Sequence, residues 1–185
     1  DRAGYIANDP GLSDYLNDSA ANYQYAGLDL NRGKLAVGAS YHHLNTSELK
    51  LLGDYKNHGI SDEANIWMLK GGYTFSKNVA LTGYYAENRD ADNFNKAAAA
   101  QISYKGADSA NKGTWGTWVA YRHLGQYVDL FNTYDVIDAG QKGWEIGVNY
   151  VPYKNVLTIL RYGKVKELSN DQKASALFGR VDFFF

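Results

Sequence analysis

Cysteine is absent from the 185 residues and proline occurs only twice. Without cysteine no disulfide framework exists, although this alone leaves the compartment open. No run of about 18 apolar residues is present, so no membrane-spanning helix is available. Charge of either sign in excess is also missing. The 19 Lys and Arg against 20 Asp and Glu give a net charge of −1, which argues against nucleic acid as a bulk electrostatic partner. No glycine-rich phosphate loop follows a strand, and neither a metal-ligand cluster nor a nucleophile motif occurs. A signal peptide is lacking before Asp1, so an exported form is expected to be a processed or excised product. Sustained helical periodicity is missing throughout.

What the chain does have is tyrosine (16 residues), glycine (19) and strict alternation. From residue 22 the same design repeats: apolar alternation, a tight polar turn, further alternation, then a long polar loop. The first strand is predicted at 22–30, with a turn over 31–33. Leu35, Val37, Ala39 and Tyr41 then share one face, opposite Ala36, Gly38, Ser40 and His42. A third strand over 64–75 sets Trp67, Leu69, Gly71 and Tyr73 against Met68, Lys70 and Gly72. The cleanest case is Trp144, Ile146, Val148 and Tyr150 against Glu145, Gly147, Asn149 and Val151. The last stretch alternates in the same way, with Phe185, Phe183, Val181, Gly179 and Leu177 opposite Asp182, Arg180 and Phe178.

About nine strands of near 10 residues result, the length that crosses a bilayer at a tilt of roughly 45°. Short turns (31–33, 76–78, 107–113, 154–155) alternate with long loops (44–63, 89–95, 124–141, 166–172). Outer-membrane barrels have this asymmetry, with short turns on the periplasmic side and long loops outside. Greek-key crossings would break it in a soluble sandwich. Tyr41, Trp67, Tyr73, Tyr85, Tyr104, Trp115, Tyr121, Trp144, Tyr150 and Tyr162 fall near strand ends on the apolar face, as interfacial girdles require. The predicted fold is therefore all-β, an antiparallel up-and-down transmembrane β-barrel. By strand parity the first strand runs inward, whereas a closed bacterial barrel starts with an outbound one. Residues 1–21 are thus expected to be an extracellular loop with a possible strand remnant, and 22–185 the C-terminal portion of one larger barrel.

The terminal aromatic preceded by alternate apolar residues (Leu177, Gly179, Val181, Phe183, Phe185) resembles the C-terminal signal read by the barrel-assembly machinery. With the hairpin rhythm over 22–185, the chain resembles the general bacterial porins. The Asp-Phe-Phe-Phe ending and the run Gly143-Trp-Glu-Ile-Gly-Val-Asn-Tyr150 look more narrowly like the porins of diderm Firmicutes. Those join an S-layer-homology domain and a coiled-coil stalk to a 16-stranded barrel. The resemblance implies a homotrimeric, water-filled diffusion channel in outer-membrane lipid, passing small hydrophilic solutes without a cofactor. It also implies a constricting loop in the early half of the barrel, which this chain does not include.

Alternation collects Lys70, Lys105, Arg122, Arg161 and Arg180 on the predicted lumen face, with Asp29, Glu145 and Asp182. Such a set either biases the pore toward anions or pairs across strands to keep the wall rigid and wet. Loop 124–141 contains Tyr127, Val128, Leu130, Phe131, Val136 and Ile137, which do not sit comfortably in water. It is expected to fold inward as a partial plug or to pack on a neighbouring subunit. Its Asp129, Asp135 and Asp138 match no EF-hand spacing, and Asp90 and Asp92 are an equally weak metal signal. A short helix over 47–52 is expected to narrow the mouth. His42, His43, His58 and His123 fall toward the extracellular end, only His42 faces inward, and no Ser or Asp partner is set by spacing. A channel rather than an enzyme is the expected function. The alternative is a structural outer-membrane anchor or surface-layer scaffold.

Overall fold

The computed structural model describes residues 22–45, 63–128 and 135–185. They form β1 (Asn22–Arg32), β2 (Leu35–Asn45), β3 (Glu63–Ser76), β4 (Val79–Asn88), β5 (Lys96–Gly106), β6 (Trp115–Leu124), β7 (Gln141–Tyr153), β8 (Val156–Glu167) and β9 (Lys173–Phe183). Each strand pairs antiparallel with its neighbour in the chain, giving one nine-stranded sheet in sequence order. The sheet is an open, up-and-down segment of a barrel, with β1 and β9 at its edges. No helix occurs among the described residues. The segment 1–21, the helix expected over 47–52, His58, Asp129, Leu130 and Phe131 lie outside the described residues.

The register follows from the alternation. Leu35, Tyr73, Leu81, Ile102, Val119, Ile146, Tyr162 and Leu177 are successive direct partners across eight strands. Every one of them is exposed. A slip of one residue in any pair would break this row by moving a whole strand's apolar set to the other face. Leaving such residues in water forfeits about 1.5–3 kcal/mol for each large aliphatic or aromatic side chain. Summed over the row, that is on the order of 10 kcal/mol, comparable to the whole stability of a typical domain. An apolar medium against this face removes the deficit.

The turns are tighter than the alternation alone suggests. β1 runs to Arg32, and only Gly33 and Lys34 connect it to β2. Gly33 has φ of 61° at the first central position, as a two-residue type II′ hairpin requires. The β5–β6 connection is held by Asp108, whose carboxylate accepts from the Ala110 amide at 3.0 Å and from Asn111 Nδ2 at 2.6 Å. At the long-loop end, apolar residues also gather on the other, charged face. Leu44, Ile66, Ala86, Ala97, Leu124 and Val165 from the strands are buried with Tyr127, Val128, Val136 and Ile137 of the β6–β7 loop. The core of this sheet therefore lies on its charged face, under its own loop.

Candidate functional site: the charged face and the loop folded onto it

The β6–β7 loop is held at both ends. Its first limb is zipped to the start of β5 and the loop before it, with the Gly125 amide donating to Lys96 O at 2.9 Å and the Tyr127 amide to Phe94 O at 3.1 Å. Asn88, fully buried, donates from Nδ2 to Tyr127 O at 2.7 Å and so ties the same limb to the end of β4. The second limb returns through Gly140, whose amide donates to Leu124 O at 2.8 Å. Val136 then rests on Gly163 of β8, where any Cβ would collide with it. Asp135 pairs with Arg161 Nη1 at 2.6 Å. Of the two placements expected for this loop, folding onto the chain's own sheet is the one observed in the described limbs. The constricting loop that the resemblance implies is a separate feature of the early half of the barrel; the loop folded onto the charged face here joins β6 to β7.

Beneath it the charged side chains interlock. Arg122 and Glu145 lie 3.5 Å apart and both are buried. Glu145 Oε1 also accepts from Trp118 Nε1 at 2.8 Å, and Arg122 donates to Gln101 Oε1 at 3.1 Å. The Arg161 guanidinium lies 5.3 Å from the Trp118 ring centre and 5.8 Å from that of Phe178, a cation–π position in each case. Trp118, Gly147 and Arg161 are direct partners on three adjacent strands. A Cβ at Gly147 would occupy the space of the Trp118 ring. Glycine on the middle strand thus lets side chains two strands apart meet.

The same device appears in the open half. Asp29, Gly38 and Lys70 are consecutive partners on β1, β2 and β3. The Asp29 carboxylate reaches over Gly38 to Lys70 Nζ at 2.9 Å, with about half of each side chain exposed (54% and 48%). A groove runs from this pair past Asn31, Met68, Thr82, Tyr84 and Gln101 to Arg122. On β9, Arg180 pairs with Asp182 at 3.0 Å. Lys105 departs from the expected set. Its backbone is left-handed (φ 56°), and its ammonium lies 4.6 Å from the ring centre of Trp115, which is on the apolar face. Strand alternation fails there because β5 is ending and the twisted backbone redirects the side chain.

Lys70, Arg122, Arg161 and Arg180 each have a carboxylate partner. The excess of two cations counted along the sequence disappears because Lys105 leaves this face and Asp135, a loop residue that alternation could not assign to a face, joins it. Trp118, Gln101 and Gly163 were likewise unmarked. Only their position on the face of Arg122 and Glu145 could have drawn notice to them. His42 does lie on the charged face, but its ring nitrogens meet Tyr23 Oη at 2.7 Å and Ser40 Oγ at 3.0 Å. His43 shares Asn65 Oδ1 at 2.7 Å, and His123 stands opposite Lys142 on the apolar face. Leu177, Val181, Phe183 and Phe185 are exposed at the end of the chain, and Gly179 pairs with Leu160 within the apolar row.

With this geometry in place, the comparison with known families is direct. A family described as "Putative porin" matches residues 6–180. The chain belongs to that family. No curated protein matches the chain. Porin membership accounts for both faces of the sheet: one apolar face of large exposed side chains and one face lined with paired charges.

Proposed function

We propose that the chain forms part of an outer-membrane channel through which small hydrophilic solutes diffuse passively. The observation that carries this reading is the β6–β7 loop folded onto the charged face while the apolar face stays bare. A transmembrane barrel has lipid on its apolar face and water on its polar face, and a loop on the polar side narrows the passage without closing it. No step in such passage needs a catalytic residue, a cofactor or a nucleic-acid partner. Because Lys70, Arg122, Arg161 and Arg180 are each matched by a carboxylate, this part of the wall supports weak charge selectivity rather than the anion preference that an unpaired ladder would give.

The aromatic side chains fit the two membrane boundaries. Tyr41, Trp67, Tyr85, Tyr121 and Trp144 lie toward the long-loop end, and Tyr73, Tyr104, Trp115, Tyr150 and Phe183 toward the short turns. Between them Leu69, Leu81, Ile102, Val119, Ile146 and Leu160 are exposed. In this reading Leu177, Gly179, Val181, Phe183 and Phe185 engage the barrel-assembly machinery, and the full protein is a homotrimer of about 16-stranded barrels. The narrower likeness to tethered porins belongs to the same proposal. Full-length protein reconstituted in a planar bilayer is expected to give stable conductance steps. A folded, inserted protein that gives none would instead support the structural-anchor reading.

A further inference from the structure

Lys142, Lys164, Lys166 and Lys173 share the apolar face of β7, β8 and β9, all at the long-loop end. Lys142 stands directly opposite Lys166, and Lys166 directly opposite Lys173. Lys164 is flanked by Trp144 on one side and Ser175 on the other. Like charges directly opposite each other destabilise an antiparallel pair, so three in a row call for an anion. Asp171, in the β8–β9 turn, supplies one carboxylate, 2.7 Å from Lys166 Nζ. The hydrogen bond and charge of Lys166 hold the Asp171 carboxyl below its ordinary value, and the charges of Lys142 and Lys173 add to this. Among the described residues, Lys142, Lys164 and Lys173 have no carboxylate within 4.0 Å.

The four lysines surround one shallow concavity with Tyr121 and Trp144 in its wall. Those two rings lie 4.9 Å apart, and Trp144 is 61% exposed. Aromatic rings of this kind sit at headgroup level, and lysine stems lie along apolar surface while their ammonium groups reach the polar boundary. Cations at the opposite end are accommodated one at a time. Lys34 donates to Phe75 O at 3.1 Å, while Lys105 and Lys112 lie against Trp115 and Tyr153. Among the described residues, several ammonium groups converge only at the long-loop end.

We propose that Lys142, Lys164, Lys166 and Lys173 bind the phosphate groups of an anionic lipid headgroup in the outer leaflet. The site rests on the channel reading above, which sets the long loops at the outer surface. Each ammonium offers three rotatable donors, and phosphate oxygens accept charge-assisted hydrogen bonds from several at once. One carboxylate leaves three positive charges over, enough to match a headgroup bearing two phosphates.

The test reconstitutes full-length protein in phosphatidylcholine nanodiscs doped with bis-phosphorylated lipid A. Lipid retained after detergent exchange is counted by native mass spectrometry. The variant K142Q/K164Q/K166Q/K173Q is expected to retain about tenfold less lipid A than the parent, and K164Q alone about twofold to threefold less. Both are expected to give the parent's conductance steps, since none of these residues lies on the charged face. Monophosphorylated lipid A is expected to be retained at an intermediate level, and millimolar pyrophosphate to leave retention unchanged. Equal retention by parent and quadruple variant, with conductance intact, overturns the site and leaves the channel standing. Displacement by pyrophosphate at low concentration would overturn the lipid in favour of a soluble anion. Loss of the oligomer in the variant would reassign the lysines to a subunit interface. A parent protein that inserts without conducting would overturn the channel reading itself, and with it the placement of this site.

Discussion

Asp29 and Lys70 lie 2.9 Å apart on the charged face of β1 and β3, with about half of each side chain in the open. Arg122 and Glu145 lie 3.5 Å apart on the same face of β6 and β7, with 6% and 0% of their side chains exposed. Asp29, Lys70 and Arg122 even share one row of direct partners across the sheet. What separates the two pairs is the β6–β7 loop. Val136 and Ile137 cover the β6–β8 side, while no described loop lies over the groove beside Lys70. Identical chemistry therefore does two jobs. In the open half the pair is a solvated feature of the wall, worth about 0–1 kcal/mol. In the covered half the pair has lost its water, and removing one member leaves a buried charge that costs about 3–5 kcal/mol.

The largest effect is expected from breaking the cover itself. Val136→Asp with Ile137→Asp would place carboxylates in an apolar core, at a cost of several kcal/mol each. The limb carrying them should leave the wall, and single-channel conductance should roughly double as the passage widens. An unchanged conductance in a folded double variant would show that the loop does not narrow the channel. In that event the two halves would differ in stability alone.

The next effect tests the buried pair. Glu145→Leu takes the Glu145 carboxylate away from the buried Arg122 guanidinium and should destabilise the barrel by up to about 3–5 kcal/mol. Heat-dependent mobility in detergent gels would register this as a lower unfolding temperature. Glu145→Leu combined with Arg122→Met removes both charges and should recover most of the loss. A double variant as unstable as the single one would locate the cost in packing around Trp118 rather than in charge.

The contrast also separates what the sequence could show from what it could not. Period-two alternation is local, so the face of Leu35, Ile146 or Glu145 could be read from its neighbours alone. Nine strands, their order and the long-loop asymmetry followed. Loop 124–141 was marked by apolar residues in a polar context, which signalled burial without saying against what. The partner of Arg161 was hidden because Asp135 is in a loop, where no periodicity assigns a direction. Alternation puts Lys105 on the charged face because it presumes an extended backbone, and the left-handed φ breaks that presumption. Gly38, Gly147 and Gly163 have no side chain to signal a role in the sequence, yet they clear space for side chains or loop residues from neighbouring elements.

The smallest effect is expected from the open pair, and its size is what distinguishes that pair from the covered one. Asp29→Asn should lower stability by no more than about 1 kcal/mol, since the pair is half in solvent and its charges are screened. It should, however, leave the Lys70 ammonium as an unpaired positive charge in the groove. The reversal potential in a salt gradient should then shift toward anions, and Lys70→Met should shift it toward cations. Both shifts should shrink as ionic strength rises from about 0.1 M to 1 M, because the screening length falls from about 10 Å to 3 Å. A shift that persisted at high salt would mean that Asp29 acts on the geometry of the passage rather than on its field. A stability loss as large as that of Glu145→Leu would mean that the open half is covered too, by a segment beyond the described residues.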